Sequence, residues 1–70
     1  MIIVDGDKIN NLQEAAEWLK EAWIYEPYNI YYIEVGNVKY IDIEPTKDRD
    51  DLYGWVIESL EEFKKFIETH

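Results

Sequence analysis

Ser59 and His70, the chain's one serine and one histidine, are the pair on which nucleophilic catalysis would have to rest. On a continuous helix their offset of eleven residues spans about 16 Å, far beyond hydrogen-bond reach. His70 is also the last residue, where a frayed end is expected. Ser59 is read as a small residue at a helix-packing point. Carboxylates are abundant, but acid–base work needs one that is buried and shifted. The acids here fall on expected polar faces and in loops. Asp48-Arg49-Asp50-Asp51 starts like a calcium loop, yet Leu52 occupies the third ligand position and the required Gly and distal Glu are out of place. The absence of cysteine and the single histidine exclude the usual zinc sets. Lys20, Lys39, Lys64 and Lys65 are too diluted by acid to form a nucleic-acid groove, and no glycine-rich loop is present to cradle a phosphate. The expectation is a protein that is not an enzyme, with no cofactor and no metal.

A second kind of chemistry is better represented: aromatic rings beside acids. Trp18 and Tyr25 border the ridge of Glu14, Glu17 and Glu21, and Tyr53 and Trp55 stand near Asp50 and Asp51. As structural residues they are partly buried edge aromatics. As functional ones they are anchors suited to gripping an Arg- or Lys-rich surface. Net charge is −9, and acid exceeds base in every third of the chain. Such a field repels nucleic acid and anionic lipid and attracts basic surfaces. Its bland role is to keep a small domain soluble. The candidate contact residues are Glu14, Glu17, Trp18, Glu21 and Tyr25 on a first helix, Tyr31, Tyr40 and Asp42 on a hairpin, and Asp48, Asp50 and Asp51 in a loop.

The elements that must position them follow from pattern. Met1–Val4 reads as a strand and Asp5-Gly6-Asp7 as a turn. Asn11 is an N-cap with Glu14 three residues on, a capping-box spacing. Leu12, Ala15, Ala16, Leu19, Ala22 and Trp23 then form one helical stripe, ending before Pro27. Two β-branched and aromatic runs, Ile30–Val35 and Val38–Ile43, flank Gly36-Asn37, which suits a two-residue type II′ turn. That turn sets Glu34 opposite Lys39, Ile33 opposite Tyr40 and Tyr32 opposite Ile41, a register with a favourable cross-strand charge pair. The face with Ile30, Tyr32, Ile41 and Ile43 is expected to be core. The face with Tyr31, Ile33, Val35, Val38 and Tyr40 is too apolar for an ordinary wet surface and becomes a candidate contact face.

Glu44 to Asp51 is a loop. A second helix is expected after it, with Leu52, Val56, Leu60, Phe63 and Ile67 on one stripe. Asp48, Asp50 and Asp51 would favour its N-terminus, Gly54 would weaken its first turn, and Glu61–Lys65 would support it as an i,i+4 pair. The fold class is α+β: a three-stranded antiparallel sheet with two helices on one face, in the order β-α-β-β-α. This is a ferredoxin-like pattern lacking its last strand. Seventy residues make a single compact domain, 1–70. Eleven aromatic residues supply the core that no disulfide can supplement. No run approaches the ~20 apolar residues of a membrane span, and the start lacks the basic segment of a secretory signal. A cytoplasmic location is expected.

The short first strand, acidic helix, Tyr-rich hairpin closing on Gly-Asn and final amphipathic helix resemble the small acidic anti-CRISPR proteins of phages. The likeness spans the whole chain in length, charge and element order. It implies an inhibitor in the host-cell cytoplasm that resembles nucleic acid in charge and occupies the basic groove of a CRISPR effector. On that reading the partner is a protein with a basic surface, with no direct nucleic acid and no membrane. The alternative is an interaction module or homodimer, natural or designed, using the apolar sheet face. Three observations separate the readings: charge-reversal effects, salt dependence and oligomeric state.

Overall fold

Two helices are started by the same device, a side-chain oxygen on the helix's first backbone donors. At α1 (Leu12–Glu21) the Asn11 side chain accepts from the Glu14 N–H at 2.9 Å, and Glu14 Oε1 accepts from the Asn10 N–H at 2.9 Å. At α2 (Leu60–Thr69) the Ser59 hydroxyl accepts from the Glu62 N–H at 3.1 Å, and the Glu62 carboxylate accepts from the Glu58 N–H at 2.6 Å. Each reciprocal pair satisfies donors that a helix end leaves open. Ser59 is thus an N-cap and not a packing residue.

The computed structural model describes residues 1–69, with the Trp23 side chain outside that description. The expected placements of His70 at a frayed end and of Trp23 on the apolar stripe therefore lie outside the described residues. The strands are β1 (Ile2–Val4), β2 (Asp7–Ile9), β3 (Tyr28–Val35), β4 (Val38–Pro45) and β5 (Trp55–Ile57), with a 3-10 turn at Trp23–Tyr25. The main sheet is antiparallel, in the order β3-β4-β5. The α+β class and the three-stranded sheet with both helices on one face match expectation. Four details differ. α1 ends at Glu21, with Ala22 extended as its C-cap, so Tyr25 lies in the 3-10 turn and not on the first helix. β1 pairs with β2 in a hairpin of its own and does not join the main sheet. β5 is the third strand of that sheet, and Trp55–Ile57 is extended where helix was expected. α2 begins only at Leu60, eight residues later than Leu52.

Both hairpins follow from their turns. Asp5 and Gly6 have φ of 49° and 85°, the two left-handed residues of a type I′ turn. Gly36 has φ 60° while Asn37 keeps a negative φ, as type II′ requires. The observed register pairs Glu34 with Lys39 and Ile33 with Tyr40, as the turn dictates. Gly54 answers a close approach: a Cβ there would lie 3.2 Å from the Ile43 carbonyl oxygen, where the chain joins β4.

The core sits between the helices and one sheet face. Ile30, Ile41, Ile43 and Ile57 meet Ala15, Ala16 and Leu19 from α1 and Phe63 and Phe66 from α2, all buried. Burying each large side chain is worth roughly 1.5–3 kcal/mol. Ile9 is buried at the edge of this core, with Ile2 and Val4 packed beside it. The Cα envelope measures 33 × 31 × 18 Å, a thickness that admits one helix layer on one sheet layer and nothing beyond.

Candidate protein-binding surface

The sheet face turned away from the helices is built by period-two alternation. On β3 it carries Asn29, Tyr31, Ile33 and Val35, on β4 Val38, Tyr40, Asp42 and Glu44, and on β5 Val56. The helices pack on the other face, and α2 comes near this one only at the β5 edge, where Glu62 and Lys65 line a cleft with Val56. Val35 is 67% exposed, Val56 50% and Tyr31 47%, Val38 is also exposed, and Ile33, Tyr40 and Asp42 are half-buried among their neighbours. Cross-strand pairing sets Tyr31 beside Asp42, Asp42 beside Val56, and Ile33 beside Tyr40. The result is an apolar strip across three strands with Tyr hydroxyls available to donate. Its charged residues, Asp42 and Glu44, are both acidic. Large contiguous apolar patches are uncommon on solvated surfaces and mark contact sites.

Three of the expected contact residues, Tyr31, Tyr40 and Asp42, come together on this face. The rest lie elsewhere. α1 rests on the opposite side of the sheet, so Glu17 and Glu21, both exposed, face solvent there. Glu14 is half-buried and engaged in the cap described above. Trp18 is half-buried, 6.2 Å from the Tyr25 ring and edge-on to Phe63 at 5.8 Å. Tyr25 is 3% exposed and packs against Phe66 at 5.5 Å. The structure makes Tyr25 a core residue, with no ring surface left to anchor a partner. Burial, and then the neighbouring Tyr28, raises its phenol pKa above the usual value.

Asp48, Asp50 and Asp51 form a third location, a loop that precedes β5. They do not flank a helix as expected; the acids in the first turn of α2 are Glu61 and Glu62. Arg49 holds Asp51 by two bonds, Nε to Oδ1 at 3.0 Å and Nη2 to Oδ2 at 3.1 Å. This contact lowers the Asp51 pKa below the usual carboxylate value and raises that of Arg49. Tyr53 is exposed in the same loop, and Trp55 packs 6.0 Å from Phe66; neither borders a helix start. The Glu61–Lys65 pair does not close; the ion pairs among the described residues are Lys39–Glu34 at 3.9 Å and Arg49–Asp51.

Sequence reasoning placed Ile33, Val35 and Val38 on the contact face but missed Val56, because its segment was expected to be helical. The signal was present in Gly54 before it and in Ser59-x-x-Glu62 after it. A cleft of about 300 Å³ lies between β5 and α2, lined by Trp55, Val56, Glu62 and Lys65. That is the lower limit for small-ligand sites, and its lining is half charged. Among the described residues no group of three His, Asp or Glu could hold a metal ion, and no helix is long and apolar enough to cross a membrane. Comparison with protein families, characterised proteins and solved structures finds no match to this chain.

Proposed function

We propose that this chain is a non-catalytic binding module that docks a protein partner on the open face of its main sheet. The observation that carries the reading is the uncovered strip of Tyr31, Ile33, Val35, Val38, Tyr40 and Val56. Apolar and aromatic groups there gain by leaving water, while the acids favour a partner with a basic rim. Asp42, half-buried amid that strip and without an ion pair among the described residues, would receive a Lys or Arg of the partner. Capture from lysate by wild-type chain and by a Val35→Lys/Val56→Lys chain tests the reading. A partner held by wild type should bind the variant at least about tenfold more weakly, the cost expected when a central contact is lost. Equal retention by both would overturn it.

A second reading is favoured by one further observation: no charged residue is buried among those described, so the acidic excess faces solvent. This suits an inhibitor of the host-cell cytoplasm that occupies the basic nucleic-acid-binding surface of a target such as a CRISPR effector. Glu17 and Glu21 on α1 would then carry the contact. Here binding should collapse as salt rises from about 0.05 to 0.5 M, because exposed charges are screened. The open-face reading predicts a partner that survives that rise.

A further inference from the structure

The outer edge of β3 is the longest unpaired strand edge in the fold. β3 is eight residues long and has β4 as its one ladder partner. A two-residue turn is closed by a pair that exchanges both backbone bonds, here Val35 and Val38. Bonded pairs then recur at Ile33/Tyr40, Tyr31/Asp42 and Asn29/Glu44. The backbone groups of the alternate residues Tyr28, Ile30, Tyr32 and Glu34 therefore point away from β4. Among the described residues none of these four makes a backbone bond on that outer side. Ile30 is only 8% exposed, Tyr32 is half-buried and Glu34 is exposed, so the accessible part of the edge is its turn end.

Sheet edges are ordinarily blunted by proline, lysine, a bulge or shortness. β3 contains no proline and no lysine, and its register with β4 runs without interruption over all eight pairs. The opposite edge is treated differently: β5 is three residues long. A row of unused donors and acceptors at strand spacing specifies its occupant more narrowly than an apolar face does. What fits is another extended chain.

We propose that the turn end of β3 takes up an extended segment of the partner protein as a fourth strand, with Lys or Arg at alternate positions and apolar residues between. The inference rests on the open-face reading and specifies how the partner is held. Charge selects the occupant. The one charge on β3 is Glu34, on the face away from the apolar strip, where its cross-strand neighbour is Lys39; the open face carries only the acids Asp42 and Glu44. A second copy would bring its own net charge of −9 against this one. Period two separates the added strand's side chains. One set lies beside Tyr31, Ile33 and Val35 and extends the apolar strip; the other lies beside Tyr32 and Glu34. Glu34 is held loosely at present, by the Tyr32 hydroxyl at 2.9 Å and by Lys39 at 3.9 Å with both side chains more than half exposed. A lysine on the added strand can reach it.

The probe is a capped peptide of about eight alternating lysine and valine residues, matched to the length of β3. It is added to the full chain while backbone amide exchange is followed by NMR. The Tyr32 and Glu34 amides should slow by at least about tenfold, and a glutamate–valine peptide should leave them unchanged. Glu34→Pro removes an outward donor that the β3–β4 ladder does not use, so it should keep the fold and abolish the protection. Glu34→Lys leaves the backbone intact and should exchange preference toward the glutamate peptide. Unchanged edge amides would overturn the proposal, as would equal protection by both peptides in wild type. Protection that rises with protein concentration alone would replace the partner strand with a second copy. The two readings fail separately: a captured partner released by Val35→Lys/Val56→Lys but held fully by Glu34→Pro and Glu34→Lys sinks the edge alone. Retention by the Val35→Lys/Val56→Lys chain sinks the open face.

Discussion

At the scale of single residues, the chain's polar groups are organised to end helices and close turns. Ser59 is the clearest case, because the one serine sits where α2 needs an acceptor. Ser59→Ala should destabilise the fold by about 1 kcal/mol, the usual cost of a lost N-cap. In a domain of this size that lowers Tm by roughly 4–8 °C. Ser59→Asp should restore the loss, which a role in packing would not predict; thermal melts of the three proteins decide between them. Asp51 permits a second residue-scale prediction, on pH. Its folded pKa is depressed by Arg49, so whatever stability the contact gives is present above the ordinary value of 3.8 and disappears as pH falls through the lower folded value. The pair is exposed, so the effect on stability is small. The NMR titration of the Asp51 carboxyl should have its midpoint below 3.8 in wild type and move upward in Arg49→Ala, which removes the largest of the causes that lower it.

At the scale of elements, β5 explains both the packing of the sheet and the largest departure from the sequence reading. Ile57 is fully buried and Val56 exposed on the opposite face. Ile57→Ala should therefore cost about 2–5 kcal/mol, as large-to-small core changes do. Val56→Thr should stay within about 0.5 kcal/mol, as exposed changes do. Had this segment been helical, Val56 would sit on the apolar stripe with Phe63 and the order of the two effects would reverse; urea melts measure both. The sequence misled here because Leu52, Val56, Leu60, Phe63 and Ile67 share helical spacing by coincidence. Only Leu60, Phe63 and Ile67 lie in α2, and Ser59 and Gly54 mark where the helix cannot extend backward. The β3–β4 hairpin was legible because three independent signals agreed: Gly36 for the turn, the alternation of isoleucine and tyrosine, and the Glu34–Lys39 pair. The β1–β2 hairpin carried an Asp-Gly turn signal, but its strands are too short to show alternation, and β1 was assigned to the main sheet instead. The contact surface was half legible. Alternation placed Tyr31, Tyr40 and Asp42 on one face, whereas Tyr25 stood at the border of its helical stripe and only the tertiary packing of Phe66 shows that it is core.

At the scale of the whole molecule, the layer count governs what the protein can present. Two helices cover one sheet face, and an 18 Å thickness leaves the other bare. The acids of α1 and the apolar strip are on opposite sides, so a single compact partner cannot contact both sets at once. This separates roles. Acids on all sides raise the encounter rate with a basic partner, and the strip sets how long the complex lasts. Reversal of Glu17 and Glu21 to Lys should therefore slow association and flatten its salt dependence while leaving dissociation nearly unchanged; stopped-flow traces at several salt concentrations report both. The open sheet face is tested most directly by NMR of the chain's side chains, the glutamate CH2 and carboxylate groups included, as a captured partner is added. A partner docked on the open face should shift or broaden Tyr31, Val35, Val38, Tyr40 and Val56 and leave the glutamates of α1 unmoved. Shifts confined to Glu17 and Glu21, with the open sheet face unmoved, would contradict it.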